Sequence, residues 1–547
     1  MRRLKLIPAL AATLVLSALA AACSNGTSAP AASGSENSAS SAASSSTGPT
    51  TYPIKTDKTL TYWAELQGNL VGVKSSLEDI PFFQDWQKRT GVPLKFITVP
   101  NTKAKESLTV MLASGDMPDM MEFDWAKGFP GGPEKAIKDG YILKLNDLLA
   151  KHAPNLMKYL KEHPEIDKMV KTDSGSYYQF PFIRGDTYLQ VFHGPIIRKD
   201  WLDELGLPVP ETIDEWYTTL KAFKEKKGAT APITFVGQPN PLNDFYTGDF
   251  VGAFGVTKDF FLLDGKVKYG PMEPGFKEFL ATFRKWYAEG LIDKNLATVD
   301  MKAIDANFAN GATGATVGNA GGGIGRWTPI VQSKDPKAVL VGAPYPVLKK
   351  GDTPMFGQRD QPFSNQGTVA ISAKSKNAEL AVKLLDWGYS EEGGLFFNFG
   401  TEGVSYKMEN GYPKYTDLVM KNPDKLAPAQ ALALYIRGNS NGPFVQDKRY
   451  IEQYLQMQVQ RDAVSTWQKT DIAKHQLPPI TPTPEESSEF AKIMNDVNTL
   501  VNEMILKIIL GAEPVDSFDT YVSKMKSLKI DRALEIQAAA LDRYNKR

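Results

Sequence analysis

Two periods of apolar and polar residues alternate along the first part of the chain. Leu60-Thr61-Tyr62-Trp63 is a run of β-formers and predicts a strand. Phe82, Phe83 and Trp86 fall on about one face of a helix predicted over Pro81–Arg89. Leu94–Val99 is a second strand. Ala104–Ser114 sets Leu108, Met111 and Leu112 at helical spacing, and Gly115 stops it. Asp119–Phe123 follows as a third strand. This order of strand, helix, strand, helix, strand predicts an α/β layer built on a largely parallel sheet.

Beyond Tyr177–Phe182, further strands are expected at Tyr188–Phe192 and Pro195–Arg198. Thr212-Ile213-Asp214-Glu215 spells a capping box, in which Thr212 accepts from an early helix N–H and Glu215 reaches back. Ile213, Trp216, Leu220 and Phe223 then form a helical stripe that must pack on something. Thr483-Pro484-Glu485-Glu486 starts a longer helix in the same manner, with proline in its first turn. Its stripe of Phe490, Ile493, Val497, Leu500, Met504 and Ile508 reads as core, as do Trp216, Trp387 and Trp467.

Composition then bounds the picture. A chain of 547 residues is too long for one core and suits two large lobes. Its 63 basic and 62 acidic side chains nearly cancel, so nothing steers it towards nucleic acid. The four histidines (His152, His163, His193 and His475) are scattered, and neither a metal nor a cofactor is expected. After residue 23 no apolar run approaches a bilayer span; Val497–Leu510 is broken by Asn502, Glu503 and Lys507.

The N-terminus has its own pattern. Arg2, Arg3 and Lys5 precede an apolar run, Leu6–Leu19, which Ala20-Ala21-Ala22-Cys23 closes with small residues. That is a secretory signal, too short for a membrane span. Cys23 is the one cysteine in the chain, so no intramolecular disulfide forms. Ser24–Thr51 is nearly all Ser, Ala, Gly and Thr, has nothing to bury, and is expected to remain a disordered tether. A lone cysteine directly after the signal resembles the lipobox of bacterial lipoproteins, with Leu19 one place early and Ala20 in the usual leucine position. The resemblance implies removal of residues 1–22, lipidation of Cys23 and a membrane anchor outside the cell.

Several segments, in order, resemble the carbohydrate-type (family 1) solute-binding proteins of ABC importers. They are Leu108–Asp119 (LTVMLASGDMPD), Gly140–Leu149 (GYILKLNDLL), and Arg198–Leu202 through Leu207, followed by Pro210–Trp216. Phe308-Ala309-Asn310-Gly311 with Gly314-Ala315, and Asn377–Ala381 leading to Trp387, continue the match. The C-terminal part looks like the large lipoprotein subgroup of Gram-positive bacteria. The resemblance implies a periplasmic-binding-protein-like α/β fold, two lobes joined by crossing strands with a ligand cleft between them. On this reading residues 52–183 plus 366–438 form the N-lobe and residues 184–365 plus 439–547 the C-lobe. Crossings are expected near Phe182–Thr187, Gln366–Ser372 and Tyr435–Asn441. The implied function is binding, without catalysis, of an oligosaccharide or polysaccharide fragment by a monomer that hands it to membrane permease subunits. A peptide or another small solute on the same fold is the alternative.

Sugars present apolar C–H faces and a rim of hydroxyls, so their sites need aromatic platforms and flat polar groups. At the strand ends and crossings the candidates are Trp63, Glu65, Glu122, Asp124, Trp125, Arg184 and Asp186. Phe245 and Tyr246 occupy the place of a family stacking aromatic. Asn319 and Trp327 flank the glycine run 321–323, where missing side chains leave room for a ligand, and Arg359 and Asn365 precede the return strand. Several have a plain structural alternative: a core indole for Trp63, a solvated turn at Glu122–Trp125, a mutual ion pair for Arg184 and Asp186, a surface turn at the glycines. Gly438-Asn439-Ser440-Asn441-Gly442 matches a hydrolase nucleophile elbow, with Asp462, Asp471 and His475 downstream. Pro443 follows at once where the elbow needs a helix, which argues against a secreted hydrolase. Some relatives carry a calcium loop after the helix that matches Glu215–Lys226; Lys224-Glu225-Lys226-Lys227-Gly228-Ala229-Thr230 has no carboxylate ladder, and no calcium is expected there.

Overall fold

The computed structural model describes residues 50–547 apart from 238–241, 243–244 and 246–247. Strands β1 (Leu60–Glu65), β2 (Leu94–Val99) and β3 (Met120–Glu122) open the first sheet, and β4 (Phe180–Arg184) leads to β5 (His193–Arg198). A hairpin of β6 (Phe260–Leu263) and β7 (Lys266–Tyr269) precedes β8 (Ala315–Asn319) and β9 (Leu340–Gly342). The long β10 (Phe363–Ile371), a second hairpin of β11 (Tyr406–Glu409) and β12 (Tyr412–Tyr415), and the short β13 (Val445–Gln446) follow.

The first sheet has six strands in the order β13-β4-β10-β3-β1-β2. β1 runs parallel to both β2 and β3, while β10 is antiparallel to β3 and β4, and β13 lies parallel to β4. Helices Pro81–Thr90 and Ala104–Ser114 connect the parallel strands as their periodicity predicts, the second stopped by Gly115 at φ 70°. One side of this sheet buries Tyr62, Phe82, Trp86, Phe182 and Trp387 together; a smaller cluster on the other holds Trp63, Met121, Trp125 and Tyr178. Phe363 and Phe444 also pack in the first of these cores.

A second α/β core surrounds the three-stranded sheet β8-β5-β9, antiparallel throughout. The capping box at Thr212 forms as read, with Glu215 N–H donating to Thr212 Oγ1 at 3.1 Å and Thr212 N–H to Glu215 Oε2 at 3.2 Å. Trp216, Leu220 and Phe223 of the helix it starts are fully buried there, and Trp467 packs nearby. Helix Pro484–Ile509 begins with the second capping box and inserts Ile493, Val497, Met504 and Ile508 into the same core, with Phe490 and Leu500 only partly covered.

The last helix, Ile530–Asn545, is rooted in this second core by Ile530 and Ala533. Its far end reaches the first core's side. Arg543 and Arg547 both bond Asp173, and Arg547 also donates to the carbonyls of Lys168 and Lys171.

Two expectations move. Tyr188–Phe192 is not a strand: Thr187–Gln190 is a 3₁₀ turn because Asp186 accepts from Tyr188 N–H at 2.8 Å and caps it. Where a third crossing is expected at Tyr435–Asn441, the strand that forms is β13, a few residues later and parallel to β4. Among the described residues no helix is long and apolar enough to cross a membrane.

Candidate functional site

A cavity of about 280 Å³ opens between the two cores, at the ends of β1, β4 and β8. Asn69, in the turn after β1, and Asn439 and Ser440 form one wall. Asn319 at the end of β8, Gly321, Gly322 and Tyr454 form the other. Arg184, Tyr188, Gln446 and Tyr450 close it where the chain crosses between the cores. Strand carboxyl ends supply these positions because the chain must leave the sheet there, and loops free of ladder bonds can present side chains.

The glycine run is shaped by local packing. Residues 320–324 wind into a π-helical turn. A Cβ on Gly318 would lie 2.9 Å from the Trp327 ring and one on Gly323 3.0 Å from it, so these glycines admit Trp327 into the core. A Cβ on Gly321 would sit 2.5 Å from Tyr454 Cε1, so this glycine admits the Tyr454 ring to the cavity wall. The opposite wall is held by a buried network. Arg437 donates to Glu122 Oε1 at 2.6 Å and to the Asn441 carbonyl at 2.8 Å, and Tyr62 Oη donates to Glu122 Oε2 at 2.8 Å. Burial and the Glu122 charge raise the Tyr62 pKa well above its ordinary value. Asn441 in turn abuts Gly367, whose φ of 71° and missing Cβ accommodate it at the bulge of β10.

Of the residues expected in the cleft, Arg184 and Asn319 line this cavity. Arg184 pairs with Asp360 and lies 5.3 Å over the Phe182 ring; its Nη1 is buried without a partner. Asp186 caps the 3₁₀ turn and pairs with Lys448 at 3.2 Å, so the two do not pair with each other. Asn319 Oδ1 is 2.9 Å from His193 Nδ1. Glu65 accepts from Lys103 N–H at 3.2 Å. Asp124 accepts from the N–H groups of Ala126 and Lys127, while burial raises its pKa. Arg359 donates to Gln190 Oε1, and Asn365 accepts from Tyr178 Oη and Gln179.

Four aromatic candidates are core side chains in this structure. Trp63 packs edge-on to Phe123 and donates to Ser107, and Trp125 lies between Phe123 and Phe129. Phe245 sits among Phe235, Phe250 and Phe283. Trp327 stacks on Phe308 at 5.1 Å and donates to Asp305. None exposes more than 1% of its surface, so none presents a platform to a ligand in this state. Tyr246 lies outside the described residues.

Asn69, Tyr188, Asn439, Gln446, Tyr450 and Tyr454 escaped the sequence reading. The elbow-like segment 438–442 was the available signal for Asn439; its polar residues form a cavity wall. His475 donates from Nδ1 to the Leu262 carbonyl, and Ser440 Oγ donates to the Arg437 carbonyl at 3.3 Å, so they do not form a nucleophile–base pair.

Two α/β cores joined by crossing strands enclose a cavity whose walls mix amides and phenols with apolar side chains such as Val191, Phe192, Ile451 and Leu455, the form of a small-ligand binding site. The chain belongs to the bacterial extracellular solute-binding protein family, whose model matches residues 74–395, more than half of it. It is 28% identical over 380 residues to the fructooligosaccharide ABC transporter substrate-binding protein FusA of Streptococcus pneumoniae, covering 64% of this chain and 65% of FusA. The match thus spans just under two thirds of that relative. It is 24% identical to lipoprotein LipO of Bacillus subtilis over 68% of this chain and 72% of LipO. In structure it resembles the calcium-free alginate-binding protein AlgQ2, with a TM-score of 0.72, 26% identity, and coverage of 89% of this chain and 99% of that one. The fold is therefore periplasmic-binding-protein-like.

Proposed function

We propose that this chain is the substrate-binding lipoprotein of an ABC importer, capturing an oligosaccharide outside the cell and delivering it to a membrane permease. The observation that carries the reading is the cavity between the cores, where Asn69, Asn319, Asn439 and Gln446 meet Tyr188 and Tyr454. Planar amides bond pairs of sugar hydroxyls, and phenol rings cover sugar C–H faces while keeping a polar tip. The sugar-binding relatives support the same class. Binding is the whole mechanism: no bond is broken, and ligand favours the closed arrangement of lobes over the open one. The lobes expected from the sequence, 52–183 plus 366–438 and 184–365 plus 439–547, shift at their edges on this reading, because β10 from Phe363 and the segment Phe444–Gln446 pack with the first sheet. Cys23, lipidated, holds a monomer at the outer face of the cytoplasmic membrane.

A thermal-shift panel of oligosaccharides tests the ligand class. A ligand at a hundred times its dissociation constant adds about 2.7 kcal/mol, which moves the midpoint measurably. Gly321→Val should abolish the shift, since its side chain would occupy the space of the Tyr454 ring. A shift from peptides and none from sugars would overturn the carbohydrate reading. Replacing Cys23 by Ser should release the protein from the membrane fraction.

A further inference from the structure

We propose that the cavity selects an uncharged, hydroxyl-rich sugar over the matching uronate, and that Asp360 sets this preference by neutralising Arg184. This deepens the carbohydrate reading and rests on it. Among the described residues lining the cavity, Arg184 is the one that is charged, and its guanidinium is already paired with Asp360. Lys448 and Arg449, which follow the lining residue Gln446 in the chain, are paired with Asp186 and Asp447. Arg359, with Nε on Gln190, does not line the cavity. Among the described residues the walls therefore offer no unpaired cation.

Among the described lining residues, two buried polar atoms lack partners, and they are of opposite kinds. Arg184 Nη1 is a donor. Asn439 donates from Nδ2 to the Ala429 carbonyl at 2.8 Å, which fixes its amide, and its Oδ1 is left as an acceptor without a donor. Both atoms are closed off from solvent; where ligand binding opens the wall to them, a hydroxyl, which both accepts and donates, can satisfy both. A carboxylate only accepts: it would leave Asn439 Oδ1 unpaired and bring a negative charge to a guanidinium whose charge is already balanced. Taking a carboxylate out of water without a free counter-charge is strongly unfavourable.

The test is isothermal titration of the full chain with two sets of probes. One set is neutral fructo-, gluco-, galacto- and manno-oligosaccharides. The other is oligogalacturonate and oligoalginate, each beside its carboxyl-reduced form. The expected result is binding within the neutral probes, with every uronate at least about tenfold weaker than its reduced form. Asp360→Asn, at a half-exposed position, should raise the affinity for a uronate relative to its reduced form by about tenfold. A uronate that binds more tightly than its reduced form overturns this inference while leaving the carbohydrate reading intact. An Asp360→Asn variant with unchanged discrimination removes the role given to Asp360. No binding by either set overturns the carbohydrate reading itself, and this one with it.

Discussion

Removing the carboxylate of Glu122 should destabilise the protein more than any surface change, through the guanidinium it leaves behind. Glu122 and Arg437 are 9% and 3% exposed, and their contact at 2.6 Å joins β3 to the segment that carries Asn439 and Ser440. In Glu122→Ala, Arg437 keeps only the two oxygens of Asn441, at 2.8 and 3.1 Å, and Tyr62 Oη loses its acceptor. Breaking a buried pair from one side costs about 3–5 kcal/mol, because the remaining charge is buried without compensation. With a urea slope of about 3 kcal/mol per molar, the midpoint should fall by about 1 M or more. The double variant Glu122→Met with Arg437→Met removes both charges and should recover most of that loss. Urea unfolding of the wild type, both single variants and the double variant completes the cycle. The reasoning fails if Glu122→Ala costs under about 1 kcal/mol, or if the double variant loses the sum of the two single losses. Ligand affinity should follow the same order, since Asn439 lies in the loop this pair positions.

Asp386 is buried and accepts from Leu156 N–H and from Asn155, and burial pushes its pKa up to about 6. A carboxyl raised above its unfolded value contributes stability that is fully present below about pH 4 and is lost as pH rises through about 6. The stability difference between wild type and Asp386→Ala, measured by denaturation at several pH values, should therefore shift against the wild type over that window by about 3 kcal/mol. Asp173→Ala leaves Arg547, which exposes 5% of its side chain, with backbone carbonyls and the Tyr544 ring but no counter-charge, and should cost about 2 kcal/mol in the same assay. Hydrogen exchange should show the loss concentrated at the end of helix Ile530–Asn545 and near residue 173.

Contiguous residues determined much of this protein. The strand–helix alternation of residues 60–123 and both capping boxes appear as read, because periodicity and caps act within one or two turns of chain. The ordered family segments were legible for the same reason. What the aromatic residues face was not. The first sheet is covered on both sides, so an indole at a strand end reads the same whether a ligand or a neighbouring ring lies over it. Trp63, Trp125, Phe245 and Trp327 were expected at the cleft, and the tertiary structure gives each an apolar neighbour instead. The cavity itself is assembled from residues near 69, 184, 319, 439 and 454, segments that no local pattern relates to one another. Only folding brings them together, because burying the two apolar cores around the crossing strands is what aligns the strand ends that carry them.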